Sequence, residues 1–204
     1  MSDIIHDALM MGRKIAIRRA QNNPGLGAGS DLVFLTRAAS PPEPNEYSVF
    51  SNIFKDIPHA IIGGVAANTY MAPRTTDDMD FGILPKDAKI VHERLQANGW
   101  TCIKELAMVL DSNLQGTLWR SSDGDSWDII EMGYDWAPLA LQEVQRKDVG
   151  SVPILGAPYL VLMKLIVARS KDTSDLQRIL GNLPQGEWAK TLKLVMKYLP
   201  QDLD

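Results

Sequence analysis

The stretch from Ala60 to Leu84, AIIGGVAANTYMAPRTTDDMDFGIL, decides the fold of this chain. An apolar run leads into the glycine pair Gly63-Gly64, and residues 65–70 have the composition of a short helix. The apolar residues that follow Asp80 are typical of a second buried strand. The order strand, glycine turn, helix and strand predicts one side of a small α/β sheet.

The second predicted strand carries a pair of aspartates, Asp78 and Asp80. Because side chains alternate between the two faces of a strand, both carboxylates point to one face. Met79 and Phe81 point to the other face and can enter a core. Two carboxylates held this close repel, and a divalent cation between them is the usual remedy. We therefore expect two Mg²⁺ ions, with Mn²⁺ as an alternative, bound by these acids and by substrate phosphates. Asp77 faces the other way and is interpreted as a solvated or turn residue.

The glycine pair suits the binding of a phosphate. Without Cβ atoms, the backbone at Gly63 and Gly64 can approach a phosphate closely, and the start of the following helix offers free N–H groups. Arg74 is a candidate forked donor to a phosphate oxygen. Each motif alone also has a purely structural interpretation. Two glycines alone indicate a tight turn, and an Asp-x-Asp pair alone is often found at the solvent-exposed end of a strand. The combination in this order favours a nucleoside triphosphate as ligand.

A further acid comes from a predicted hairpin. Asp123-Gly124 separates two β-favouring runs within residues 114–132, which is a hairpin signal. Asp128 lies inside the apolar second run, where an acid costs free energy unless it is paired or binds a metal ion. We expect Asp128 to be the third acid of the site; the alternative is an edge-strand aspartate that faces water. Glu131 is the second choice for this role, and Asp125 is interpreted as a turn residue.

Gly63-Gly64, thirteen intervening residues and then Asp78-Met79-Asp80-Phe81 resemble the signature of the DNA polymerase beta-like nucleotidyltransferase superfamily. The pattern Arg74-x-Thr76-x-Asp78-x-Asp80 resembles the branch that contains AbiE-type toxin nucleotidyltransferases and small antibiotic nucleotidyltransferases. The resemblance implies an α/β (α+β) fold, with a small mixed β-sheet, flanking helices and a helical C-terminal part. It also implies Mg²⁺-dependent transfer of a nucleoside monophosphate from a nucleoside triphosphate to a hydroxyl group, with release of pyrophosphate.

The resemblance also implies roles for individual residues. The predicted catalytic and metal-binding residues are Asp78, Asp80 and Asp128, and Asp128 is also a candidate general base. The predicted nucleotide-binding residues are Gly63, Gly64, Arg74, Thr76 and Lys164. The acceptor stays open, with RNA, a protein or a small molecule as candidates. The alternative is a non-catalytic nucleotide-binding or toxin–antitoxin-type interaction module of the same fold, which the presence of both metal-site aspartates disfavours.

Lys164 interrupts a strongly apolar predicted helix, residues 158–169. A lysine in such surroundings either snorkels from a buried helix or points at an anion. The order Lys164…Lys171-Asp172-x-x-Asp175 resembles the C-terminal motif of AbiE-like enzymes, which implies that Lys164 contacts the triphosphate. Asp172 and Asp175 are interpreted as capping or orienting the next helix. If one helix ran from Lys164 to Asp175, a rise of roughly 16 Å would keep these two residues from pairing.

The composition of the whole chain excludes several other classes of protein. The 204 residues carry a net charge of −4, so no global basic field is available to grip nucleic acid. The single cysteine, Cys102, excludes an internal disulfide, fits a cytoplasmic protein, and is expected in the core. The three histidines lack zinc-like spacing, and no apolar run is long enough to span a membrane. A Walker lysine loop and a Gly-x-Gly-x-x-Gly fingerprint are both missing from the sequence.

Three parts are predicted along the chain. Residues 1–45 comprise an amphipathic helix over residues 2–21 and a linker rich in Asn, Gly, Ser and Pro. Residues 46–156 form the nucleotidyltransferase core, and residues 157–204 form a helical C-terminal subdomain. Helices are also predicted over residues 47–54, 86–98, 138–147 and 185–198, together with one that ends at Gly181 and a short strand over residues 152–155. The oligomeric state stays open.

Overall fold

The structure, a computed structural model, describes residues 44–72, 76, 79–106, 113–144, 153–167 and 170–199. The predicted helix over residues 2–21, most of the predicted linker, and the residues Arg74, Asp77 and Asp78 lie outside these ranges. None of the described helices is long and apolar enough to cross a membrane.

A five-stranded mixed sheet lies at the centre of the described structure. Its strands are β1 (His59–Ile61), β2 (Met79–Ile83), β3 (Thr101–Leu106), β4 (Leu114–Arg120) and β5 (Ser126–Met132). They lie side by side in the order β1-β2-β5-β4-β3. β2 and β5 run parallel, whereas β1 with β2, β5 with β4, and β4 with β3 are antiparallel pairs. The predicted small mixed sheet is therefore confirmed.

Seven helices are described around this sheet. They are α1 (Pro44–Ile53), α2 (Gly63–Ala67), α3 (Ala88–Ala97), α4 (Ala137–Gln142), α5 (Ala157–Val167), α6 (Ser170–Asn182) and α7 (Gln185–Tyr198). The bounds of α7 are those predicted, and α1 begins before the predicted start. α2 is shorter than predicted, because Thr69 N and Tyr70 N donate three residues back, in the manner of a 3₁₀ turn. The division of the chain at residues 45 and 156 stays a prediction.

The predicted hairpin between β4 and β5 is confirmed. Gly124 in its turn has a φ of +92°, which glycine adopts without strain. Asp125 closes the turn, since its carbonyl accepts from Ser121 N at 2.9 Å and its own N–H donates to Ser121 Oγ at 3.1 Å. Asp125 is therefore a turn residue, as predicted.

Two smaller predictions are wrong. Cys102 is exposed rather than buried, because it lies on the edge strand β3, where five of the six residues face solvent. In the predicted strand over residues 152–155, the described residues form an isolated bridge between Ile154 and Ile61. Pro153 has no N–H with which to extend a ladder of hydrogen bonds.

The two faces of the sheet carry different side chains. On one face Phe81 is fully buried and packs against Trp127, with ring centroids 4.8 Å apart. Phe54, directly after α1, packs against both of these rings. The opposite face carries Asp80 and Asp128. The strand alternation predicted from the sequence thus places an aromatic core behind the acids.

Candidate active site

Asp80 on β2 and Asp128 on β5 lie side by side. They are register partners in this parallel pair, with Phe81 and Ile129 paired next to them. Residues opposite one another in neighbouring strands project to the same face, so the two carboxylates leave the sheet together. Both residues are partly exposed, while Asp128 Oδ1 is shielded from solvent. Two of the three predicted acids are therefore brought together.

Gly63, the first residue of the glycine turn (Gly63 and Gly64), packs directly against the Asp80 carboxylate of this pair. Its φ is +62°, in the left-handed region that favours glycine. A Cβ at this position would lie 1.8 Å from Asp80 Oδ2 and 2.5 Å from Asp80 Cγ. The contact follows from the sheet, because β1 is antiparallel to β2 and Ile62 N donates to Asp80 O at 2.9 Å. The glycine predicted to approach a phosphate thus also makes room for the carboxylate of Asp80.

The other predicted nucleotide-binding residues of this region are placed as follows. Gly64 is buried as the second residue of α2. Thr76 is partly exposed and lies outside regular secondary structure, ahead of β2. Arg74 and Asp78 lie outside the described residues, so their roles stay predictions. α2 has five residues and therefore fewer aligned peptide dipoles at the glycine turn than a helix running to residue 70 would have.

Glu131, the second choice for the third acid, does not lie beside Asp80. It is the register partner of Ile83 and is three positions from Asp128, so it points to the opposite face of the sheet. Burial raises the pKa of Glu131 above its ordinary value. Because the register separates Glu131 from Asp80, Asp128 is the acid that completes the pair.

The acid pair has features expected of part of a divalent cation site. Asp80 and Asp128 supply carboxylate oxygens, the kind of ligand that Mg²⁺ prefers. The space that a Cβ at Gly63 would fill is left to the Asp80 carboxylate. Over the part of the chain that the structure describes, no three His, Cys, Asp or Glu side chains form a group able to hold a metal ion. Asp78, the remaining predicted ligand, lies outside that part. The two described acids thus fit a portion of a Mg²⁺ ligand set.

Lys164 lies in a buried cluster with two carboxylates. Its Nζ donates to Asp172 Oδ1 and to Asp175 Oδ2, each at 2.8 Å. The side chain of Lys164 is 5% exposed, and those of Asp172 and Asp175 are each 1% exposed. The predicted contact of Lys164 with a triphosphate stays a prediction.

The condition of one continuous helix from Lys164 to Asp175 is not met, because α5 ends at Val167 and α6 begins at Ser170. The interpretation of Asp172 as a helix cap is wrong. Asp172 lies within the first turn of α6 and so does not cap it. The spacing Asp-x-x-Asp carried the useful signal, since residues three apart on a helix share a face.

Tyr70, which joins the segment after α2 to the start of α5, was not anticipated from the sequence. Its hydroxyl donates to the carbonyl of Leu155 at 2.9 Å, across 85 positions of the chain. Burial raises the pKa of Tyr70 to about 12. A tyrosine after a short helix carries no sequence signal for so distant a partner.

Several solved structures resemble this chain at low sequence identity. The antibiotic-resistance factor ANT(2'')-Ia is 12% identical, with a TM-score of 0.47 over 78% of this chain and 95% of that chain. Its complex with adenylyl-2''-tobramycin gives 13% identity and a TM-score of 0.47, over 76% of this chain and 99% of that chain. The lincosamide antibiotic adenylyltransferase LnuA, bound to lincomycin, gives 10% identity and a TM-score of 0.42, over 69% of this chain and 98% of that chain. No protein-family model matches the sequence, and a search of curated proteins gives no match.

Proposed function

We propose that this chain is a nucleotidyltransferase that moves a nucleoside monophosphate from a nucleoside triphosphate to an acceptor hydroxyl and releases pyrophosphate. The observation that carries the proposal is the pairing of Asp80 with Asp128 across parallel strands, with Gly63 packed against the Asp80 carboxylate. Asp pairs next to a glycine turn suit phosphate chemistry, because the acids attract cations and the glycine admits a close approach of backbone to phosphate.

In this proposal Asp80 and Asp128, together with Asp78, hold Mg²⁺. The bound ion would neutralise phosphate charge and polarise the reacting oxygens. Gly63 leaves the Asp80 carboxylate the space it occupies, since any side chain at position 63 would compete with it for that space. Holding ligands in a fixed geometry removes a large part of the entropic cost of the reaction.

The remaining chemistry is assigned to the residues of this chain as follows. The acceptor oxygen forms a bond to the α-phosphorus, the bond from that phosphorus to pyrophosphate breaks, and the hydroxyl proton passes to the Asp128 carboxylate. Gly63, Gly64, Arg74 and Thr76 are proposed to contact the triphosphate. The register pairing of Asp128 with Asp80 supports the role of Asp128 as proton acceptor, because it places the Asp128 carboxylate beside the proposed cation site.

The acceptor substrate and the branch of the nucleotidyltransferase superfamily are also proposals. The pattern around Arg74 and Thr76 favours the branch of AbiE-type toxin and small antibiotic nucleotidyltransferases. RNA, a protein and a small molecule all carry the hydroxyl that this reaction requires. A nucleotide-binding module without activity would bind a triphosphate with Mg²⁺ and transfer nothing.

A labelling experiment tests the function. The full chain is incubated with each α-labelled nucleoside triphosphate and Mg²⁺, and with total RNA, a protein extract or a small-molecule extract as acceptor. We expect label to enter one acceptor class and pyrophosphate to be released in equal amount. Asp80→Ala should abolish both signals, whereas Asp123→Ala, which changes an exposed acid in the β4–β5 turn, should leave them intact.

The outcomes separate the possible functions. Transfer that survives in Asp80→Ala would remove the acid pair from the reaction. Binding of a triphosphate without transfer to any acceptor class would support the non-catalytic module. Loss of transfer on addition of a chelator, restored by Mg²⁺ or Mn²⁺, is the expected sign of the ion.

A further inference from the structure

We propose that Lys164, Asp172 and Asp175 form an ionic clamp that fixes the position of α5 and, through α5, the glycine turn beside Asp80. Lys164 is then a positioning residue for the reaction and not a ligand of the triphosphate. The link to catalysis rests on the function proposed above, whereas the clamp itself does not.

The contacts of Lys164 oppose a role in binding a ligand. Two of the three N–H donors of an ammonium group are engaged, each at 2.8 Å from a carboxylate oxygen. The lysine side chain is 5% exposed, so a phosphate would have to enter the interior to meet Nζ. Turning Nζ away would leave Asp172 and Asp175 buried without their lysine, and removing one partner of a buried ion pair is strongly destabilising.

Residues 153–155, just before α5, are hydrogen-bonded to the chain that leads into the glycine turn and to Tyr70. Ile61 N donates to Pro153 O at 2.7 Å, and Leu155 N donates to Ile61 O at 2.9 Å. The Tyr70 hydroxyl, on the far side of α2, donates to Leu155 O. Because Ile61 lies two residues before Gly63, these three hydrogen bonds tie the start of α5 to the turn.

α5 connects the clamp to this tie. Its residues from Ala157 to Lys164 are all buried, and the helix contacts α2, which begins with the glycine turn. Within α5, Ala157 and Lys164 are roughly 10 Å apart along the axis at the usual rise per residue. A packed helix moves as a unit because protein interiors have few voids to absorb a shift. Releasing the clamp should therefore displace Gly63 relative to Asp80.

The test compares four variants with the unmodified full chain. Lys164→Met removes the cation with little change in side-chain length, and the double variant Asp172→Asn/Asp175→Asn removes both anions. The triple variant combines them, so that no buried charge of the cluster stays without its counterpart. Lys190→Met is the matched control, because its ion pair with Glu143 lies on the surface, at 45% and 36% exposure. Tm, the Kd of a non-hydrolysable triphosphate with Mg²⁺, and kcat below the unfolding transition are measured for each.

The clamp predicts that the carboxylate variants behave like the lysine variant. Lys164→Met and the Asp172→Asn/Asp175→Asn variant should each lower Tm by roughly 10 °C, with a smaller loss in the triple variant than the sum of the two. Lys190→Met should change Tm by about 2 °C or less. Where the variants are fully folded, kcat should fall by roughly 10- to 100-fold while Kd is unchanged.

A ligand role for Lys164 predicts a different pattern. Lys164→Met would then weaken triphosphate binding at nearly unchanged Tm, and the carboxylate variants, which keep the lysine, would bind as the unmodified protein does. That pattern, or additive Tm losses in the triple variant, would overturn the clamp. An unmodified protein without transferase activity would instead overturn the proposed function, while the Tm comparison would still decide whether the clamp exists.

Discussion

Replacing Gly63 by alanine tests the steric contact at the centre of the candidate site. The new Cβ would lie 1.8 Å from Asp80 Oδ2, 2.5 Å from Asp80 Cγ and 3.0 Å from Asp80 Cβ. Contacts shorter than 3.0 Å are not tolerated, so the carboxylate has to retreat. The retreat amounts to about 1 Å or more, and a misplacement of that size can lower a rate by roughly 100-fold. We therefore expect Gly63→Ala to lose about two orders of magnitude in kcat.

The same substitution at Gly99 separates this clash from backbone strain. Gly63 has a φ of +62° and Gly99 a φ of +81°, and a Cβ at Gly99 would meet no atom within 4 Å. Alanine in the left-handed region costs about 1–2 kcal/mol, so both variants should lose a similar amount of stability from strain. The atoms that clash in Gly63→Ala belong to the end of the Asp80 side chain, which can rotate away at modest cost. Stability should thus fall by a similar amount in both variants, whereas activity should fall only in Gly63→Ala.

The assay is release of pyrophosphate at a temperature where circular dichroism shows all three proteins folded. Gly99→Ala should keep the unmodified kcat, and Gly63→Ala should not. A double variant, Gly63→Ala/Asp80→Ala, adds a check, because alanine at position 63 should cost the same stability with and without the Asp80 carboxylate if that carboxylate rotates away at modest cost. If Gly63→Ala and Gly99→Ala retained equal activity, the position of the Asp80 carboxylate would have no bearing on the reaction.

Three further predictions follow from single contacts. Asp128→Asn removes the proton acceptor without changing its size, so turnover should fall by roughly 100- to 10,000-fold at nearly constant Tm; unchanged turnover would exclude Asp128 as general base. Tyr70→Phe removes the hydrogen bond to Leu155 and should lower the free energy of unfolding in urea by about 1 kcal/mol, and an unchanged midpoint would show that the bond contributes nothing. His92 Nε2 lies 3.0 Å from Thr117 Oγ1, and burial lowers the pKa of His92, so the folded protein binds fewer protons than the unfolded chain at mildly acidic pH. The free energy of unfolding should therefore fall as the pH drops from about 6.5 towards the lowered pKa of His92. Urea unfolding at pH 7.5 and 5.5 should show a smaller fall in His92→Gln than in the unmodified protein. An equal fall in both proteins would contradict the prediction.

The local elements of the fold were accessible from the sequence because their signals are local. The bounds of α7 and the hairpin turn at Gly124 depend on residues that are neighbours in the chain. The order of the strands could not be predicted, since β2 pairs with β5, and the segments of β3 and β4 lie between them in the sequence. That pairing depends on packing between segments far apart in the chain, and strand periodicity alone gives no partner. Edge positions were missed for the same reason, as the exposed Cys102 shows.

In the candidate site, too, features with a local sequence signal were predicted, and features that depend on distant segments were not. Strand alternation predicted which way Asp80 points, and the hairpin predicted that Asp128 lies in a strand. Neither observation predicted that the two residues would be register partners. The sequence predicted two separate helices here, but not that Lys164 would donate to both Asp172 and Asp175. Those contacts depend on how α6 packs against α5, and the residue pattern of one helix does not give its packing against the next.

Gly63 and Asp80 form one steric unit, which changes how the glycine turn is understood. From the sequence, the glycine serves a phosphate and the aspartate serves a cation, as two separate motifs. In the structure, antiparallel pairing of β1 with β2 brings the end of one strand against the start of the other, and Ile62 N bonds to Asp80 O. Asp80 Oδ2 then occupies the volume that any side chain at position 63 would require. The glycine is therefore required by the acid even before a phosphate is considered, and a longer acid at position 80 would have to find another path past the backbone of Gly63.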